Sequence, residues 1–129
     1  MYELTIHCDF EAAHCLPDYP GKCRRLHGHN WQVEVTITGA QLDEMGMLID
    51  FKEFKQEVNS VLDTLDHYYL NELEPFKSMK PTAENIARYL FENISARPAF
   101  AVSERGLRIT RVKIWESPHS AASYFLEEK

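Results

Sequence analysis

Tyr2, Leu4, Ile6, Cys8 and Phe10 alternate with Glu3, Thr5, His7 and Asp9. A period of two predicts a half-buried strand. Trp31, Val33, Val35 and Ile37 alternate in the same way with Gln32, Glu34, Thr36 and Thr38, and predict a second strand. Gly39 to Gly46 reads as a turn region, with Met47 to Ile49 as a short strand extension. The period then changes. Asp50 reads as a helix N-cap with Glu53 three residues on, a variant of the capping box. Phe51, Phe54, Val58, Val61, Leu62 and Leu65 follow at helical spacing as one apolar stripe. Pro75 falls in the next loop, and Pro81 and Thr82 open a second helix that buries Ile86, Leu90 and Ile94.

Pro98 lies beyond that helix, and the stretch to Gly106 reads as irregular. Leu107 and Ile109 begin a third strand, which Val112 and Ile114 continue in the opposite phase. A bulge near Thr110 or Arg111 explains the slip. Ala122, Tyr124 and Leu126 mark a short final strand. The order ββααββ predicts an α+β domain, one antiparallel sheet with both helices on one face. No linker, repeat or low-complexity segment divides residues 1–129, so the chain reads as a single domain of a size that buries a core without staples.

The formal net charge of −6 argues against nucleic acid as a partner, because phosphate binding needs a basic face. A small anionic substrate stays compatible with it, since a local basic patch can outweigh the total. No apolar run approaches the roughly 20 residues of a membrane helix. The cysteines are Cys8, Cys15 and Cys23, an odd number, and no basic start with an apolar run marks a signal peptide. A reducing cytoplasm is the expected location.

Four of the 6 histidines fall between positions 7 and 29. If His27-Gly28-His29 is already extended, its two imidazoles point to the same side and can meet one ion. Gly28 is expected to let the backbone approach closely. His14 comes from the loop after strand one, beside strand two if the hairpin forms. Three neutral imidazoles leave a fourth tetrahedral position open, as catalytic zinc requires. The competing arrangement is a structural zinc on Cys15, Cys23 and two histidines, although no tight C-x-x-C pair exists. Cys23 precedes His27 by four residues, and Arg24, Arg25 and a nearby ion would lower its thiol pKa. The alternative is a buried inert cysteine, which suits Cys8 on the apolar phase of strand one. Cys15 could be either. Asp66-His67 could be an oriented general acid or base, or only a helix-end pair. Glu116 ends the third strand, either as its first solvated residue or as a pocket carboxylate for a ligand with adjacent N–H donors.

Read together, these blocks resemble the 6-pyruvoyltetrahydropterin synthase and 6-carboxytetrahydropterin synthase family. The matching text is Phe10-Glu11-Ala12-Ala13-His14, Cys23-Arg24-Arg25-Leu26-His27-Gly28-His29-Asn30 and Gly46-Met47-Leu48-Ile49-Asp50-Phe51. It continues with Leu65-Asp66-His67, Pro81-Thr82-Ala83-Glu84-Asn85, and Glu116 at a strand end. The resemblance implies a T-fold (tunnelling-fold) subunit, with three sheets closed into one barrel and two barrels stacked as a homohexamer. It implies Zn2+ on His14, His27 and His29, catalysis by Cys23, Asp66 and His67, and Glu116 anchoring a pterin ring. The spacing Cys23-x-x-x-His27 resembles the bacterial carboxy branch. That branch is a lyase converting 7,8-dihydroneopterin triphosphate to 6-carboxy-5,6,7,8-tetrahydropterin, with release of acetaldehyde and triphosphate, on the route to queuosine and 7-deazaguanine. The alternatives are triphosphate elimination to the pyruvoyl product, and a non-catalytic zinc- and pterin-binding module. Cys15 beside His14 departs from the family pattern. Lys22, Arg24 and Arg25 are the nearest candidate triphosphate cations, with Lys77, Lys80, Arg105, Arg108 and Arg111 as further ones.

Overall fold

A computed structural model describes residues 1–101 and 104–127, apart from the side chain of Cys23. Strands β1 (Tyr2–His14) and β2 (His27–Gly39) form the first hairpin, and β3 (Arg108–Ser117) and β4 (Ser120–Phe125) form the second. Between them come helices α1 (Phe51–Leu62), α2 (Pro75–Ser78), α3 (Ala83–Ser95) and α4 (Pro98–Ala101). The four strands make one antiparallel sheet in the order β1-β2-β3-β4. The expected ββααββ order therefore holds, with α2 and α4 as single helical turns at Pro75 and Pro98, where loops were expected. Pro suits the first turn of a helix because its missing N–H has no partner there anyway.

The alternating pattern sorts the sheet into two faces. Ile6, Phe10, Trp31, Val33, Val35, Ile37, Val112 and Ile114 are buried, with the helices over them. Helix α1 lies against β1, and α3 against β3 and β4. The opposite face carries polar pairs, among them Thr5–Thr36 and His7–Glu34. The phase change in β3 is a bulge. Arg111 pairs with Thr36 and Ile109 with Ile37, so Thr110 is the extra residue. The bulge keeps both Ile109 and Val112 in the core.

Helix α1 begins at the expected cap Asp50, and α3 begins where Pro81 and Thr82 were expected to open it, with Thr82 as its cap. The Asp50 carboxylate accepts from Lys52 N–H, and the Thr82 hydroxyl accepts from Asn85 N–H. Other expectations fail, and the final strand stops at Phe125, short of Leu126. Met47 to Ile49 is not a strand but the end of a turn, tied by the Asp43 carboxylate to Met45 and Met47 N–H. Leu48 and Ile49 are buried all the same, because the turn plugs them into the core. Phe51 is 53% exposed, so the buried stripe of α1 starts at Phe54. His14 ends β1 instead of lying in the following loop, and it pairs with His27.

Candidate metal centre and active site

The apolar faces of three neighbouring strands end in side chains able to ligate a metal. Along β1 the core-facing phase runs Phe10, Ala12, His14; along β2 it runs backwards through Trp31, His29, His27; along β3 it runs Val112, Ile114, Glu116. Phe10 pairs with Trp31, Ala12 with His29, and His14 with His27. Strand register alone therefore brings three imidazoles to the same end and face of the sheet. Their ring centroids lie 4.5, 4.8 and 5.2 Å apart. Trp31, fully buried, forms the floor, 5.0 Å from His14 and 5.2 Å from His29. Its indole N–H donates to Ala12 O.

Backbone carbonyls fix two of the tautomers. His14 Nδ1–H donates to Pro81 O at 2.8 Å, and His27 Nδ1–H donates to Arg25 O at 2.6 Å. Each ring is left with Nε2 as its lone-pair atom, the usual second-sphere arrangement of a metal-binding histidine. Burial holds His14 and His29 below the ordinary histidine pKa, so both are neutral and able to ligate near pH 7. His14 Nε2 and His29 Nε2 are buried and make no well-aligned hydrogen bond. Glu116 Oε1 stands 3.3 and 3.1 Å from them, and with both imidazoles neutral it makes no ion pair there. Buried nitrogens aimed at one point without a proper partner are what a cation would satisfy. The donor atoms of His14, His27, His29 and Glu116 all lie within 4.8 Å of one another. Cys15 stands outside that group, with its Sγ 3.0 Å from the Tyr69 hydroxyl.

Glu116 occupies a second irregularity of β3. Trp115 pairs with Ala121 and Ser117 with Ser120, so Glu116 is the extra residue. Bulges at sheet ends re-aim side chains, and here the carboxylate is turned toward the imidazoles. Glu116 and His29 also line an open cleft of about 620 Å³ with Asn30, Trp115 and Pro118. Sequence reasoning treated Glu116 and the histidines as separate features, because no local signal links positions 14, 29 and 116.

Asp66 and His67 lie on the outer side of β1. Asp66 Oδ1 accepts from Glu11 N–H at 2.9 Å, and Asp66 Oδ2 is 3.0 Å from His67 Nδ1. The Glu11 N–H, and then the His67 ring, hold the Asp66 carboxyl below its usual range. The hydrogen bond that the His67 ring donates to Asp66 raises the His67 pKa, so its charged form persists above the ordinary range. His67 adopts φ 63°, a left-handed conformation uncommon for a side chain of this size, while its N–H donates to Glu11 O at 2.6 Å. His67 and His29 line one shallow cleft of about 480 Å³ with Ala12 and Asn30. The structure thus places His67 and His29, one of the candidate ligands, along one cleft.

The remaining candidates divide clearly. Cys23 lies in a short 3-10 turn, Lys22–Arg24, and its thiol is outside the described residues. Lys22, Arg24 and Arg25 line one small cleft, whereas Lys77 pairs with Glu74, Lys80 with Asp18, and Arg105 bonds the carbonyls of Gln41 and Met47. Arg111 stacks on Phe125. Cys8 is half-buried, and desolvation pushes its thiol pKa up, as an inert core cysteine should behave. His7 sits on the polar face with Glu34, away from the other three. A Cβ at Gly28 would meet nothing within 4 Å, so close backbone approach is not its reason. Gly28 instead lines both clefts beside His29, where a side chain would project into them.

The comparisons with known proteins agree with this geometry. The model of the 6-pyruvoyl tetrahydropterin synthase family matches residues 3–127. A 6-carboxy-5,6,7,8-tetrahydropterin synthase from Synechocystis sp. is 38% identical, over 97% of this chain and 94% of the relative. A protein from Archaeoglobus fulgidus, described as a putative 6-carboxy-5,6,7,8-tetrahydropterin synthase, is also 38% identical, over 88% of this chain and 87% of its own. The solved structure of Caenorhabditis elegans 6-pyruvoyl tetrahydropterin synthase superposes with a TM-score of 0.81 at 29% identity, covering 98% of this chain and 96% of that one. Matched along almost its whole length in sequence and fold, the chain belongs to the 6-pyruvoyl tetrahydropterin synthase family.

Proposed function

We propose that this chain is a zinc-dependent lyase that converts 7,8-dihydroneopterin triphosphate to 6-carboxy-5,6,7,8-tetrahydropterin, releasing acetaldehyde and triphosphate. The observation that carries the reading is the cluster of three imidazoles, in which the buried Nε2 atoms of His14 and His29 have no well-placed protein partner. An all-nitrogen set with a neighbouring carboxylate suits zinc. The names of the relatives favour the carboxy product. The product would serve queuosine and 7-deazaguanine synthesis in the cytoplasm.

His14, His27 and His29 would hold the zinc, which when bound would supply Lewis acidity toward the hydroxyls of the substrate side chain. Each residue then has a task its surroundings suit. Glu116, one third exposed beside an open cleft, accepts the two adjacent N–H groups of the pterin ring, a bidentate charge-assisted pair. His67, its charge favoured by Asp66, donates and recovers a proton at the cleft it shares with His29. Cys23 is assigned the partner proton transfer, and Lys22, Arg24 and Arg25 the triphosphate.

Mass spectrometry of the products from 7,8-dihydroneopterin triphosphate tests the reading. A 6-carboxy product with acetaldehyde is expected. A pyruvoyl product without acetaldehyde would move the chain to triphosphate elimination. A zinc-loaded preparation inert toward pterins would make it a binding module.

A further inference from the structure

We propose that Asn71 is a positioning residue for the metal centre, fixing His14 through the backbone of Cys15. The inference rests on the zinc reading above. Within the subunit β1 is an edge strand, and at its His14 end the outward backbone groups of residues 11–15 find their partners outside the sheet. Residues 66–71 supply them in turn. Glu11 N–H donates to Asp66 Oδ1, and Glu11 O accepts from His67 N–H. Ala13 N–H donates to Tyr68 O at 3.2 Å. At Cys15 the backbone ladder stops and a side chain takes over. Asn71 Oδ1 accepts from Cys15 N–H at 2.9 Å, while Asn71 Nδ2 donates to Cys15 O at 3.0 Å.

One carboxamide thus does for Cys15 what a residue of a neighbouring strand would do, serving both its donor and its acceptor. The consequence falls on His14. Its imidazole is 1% exposed and held at Nδ1 by Pro81 O, so its remaining freedom is that of its own backbone. Ala13 anchors that backbone on one side and Cys15 on the other. Beyond Cys15 the chain leaves the sheet for the loop that carries Cys23. Without Asn71, the last outward backbone anchor would be Ala13, Cys15 would keep only its Sγ contact with the Tyr69 hydroxyl, and the backbone after His14 would be free to fray. The same segment carries Asp66 and His67, so it ties the proton-transfer pair to the strand that bears the ligand.

The test compares zinc affinity, by chelator competition, and the absorption of the cobalt-substituted protein in wild type, N71L, N71D and V58A. Asn71→Leu is near-isosteric and removes both bonds; Asn71→Asp keeps the acceptor and loses the donor. Val58→Ala cuts into the core at α1, away from the centre, and controls for general destabilisation. Outer-sphere partners of metal ligands are typically worth about 10- to 100-fold in affinity. N71L should lose that much and alter the cobalt spectrum, N71D should fall between, and V58A should bind as wild type does. Wild-type affinity in N71L, or an equal loss in V58A, overturns the proposal. If N71L does not fold, N71D decides, and wild-type affinity there overturns it. A wild-type protein that takes up no zinc overturns the reading of the centre itself.

Discussion

At the scale of single residues, the site depends on carboxylates that do different work in different surroundings. Glu116 lies beside an open cleft, and hydrogen bonds to a charged group are worth about 1.5–3 kcal/mol, roughly 10- to 100-fold in binding. Glu116→Ala should raise KM by about that factor while zinc stays bound; steady-state kinetics with metal analysis checks both, and loss of zinc would make Glu116 a ligand. Asp66 acts instead on its neighbour. Its carboxylate favours the His67 imidazolium and raises its pKa, so removing the charge must lower it. Asp66→Asn keeps an oxygen for Glu11 N–H, and NMR titration of His67 should show protonation at lower pH than in wild type. Cys23→Ala should retain zinc and lose about 10²–10⁴-fold in turnover, the usual contribution of a positioned acid–base group. The grouping of His14 with His27 and His29, and the Asp66–His67 pair, were legible because each lies in a short block with its own chemistry. The closeness of Glu116 to His14 and His29 was not, since it arises from strand register and a bulge, which join positions far apart in the chain.

At the scale of elements, periodicity carried most of the fold. The alternation of β1 and β2, the phase slip at Thr110 and the caps at Asp50 and Thr82 are local signals, and the structure repeats each of them. What periodicity could not convey is the extent of β1. Ala12-Ala13-His14 has weak strand character, yet it is held extended by β2 on one side and residues 66–71 on the other. Leu48 and Ile49 misled in the opposite sense, since a turn braced by Asp43 buries them without any strand. The cap of α3 has a consequence beyond the helix. Pro81, whose carbonyl holds His14, immediately precedes the N-cap Thr82. Thr82→Ala should cost about 1 kcal/mol of stability, read by chemical denaturation, and should weaken zinc affinity as well. A stability loss without any effect on zinc would separate the cap from the centre.

At the scale of the whole molecule, the sheet has one face under helices and one bearing polar pairs, and β4 has only β3 as a strand neighbour among the described residues. Open edges of this kind favour association. Closing three sheets into one barrel would remove them, and a stacked pair of barrels gives the proposed homohexamer. No helix among the described residues is long and apolar enough to cross a membrane. The central claim is that the core-facing phases of β1 and β2 end in a zinc centre made by His14, His27 and His29. Native mass spectrometry of the wild type and of the three single His→Ala variants tests it most directly. The account expects a wild-type hexamer with about one zinc per subunit, and variants that keep their fold but lose the metal. Full zinc occupancy in any of the three histidine variants would contradict it.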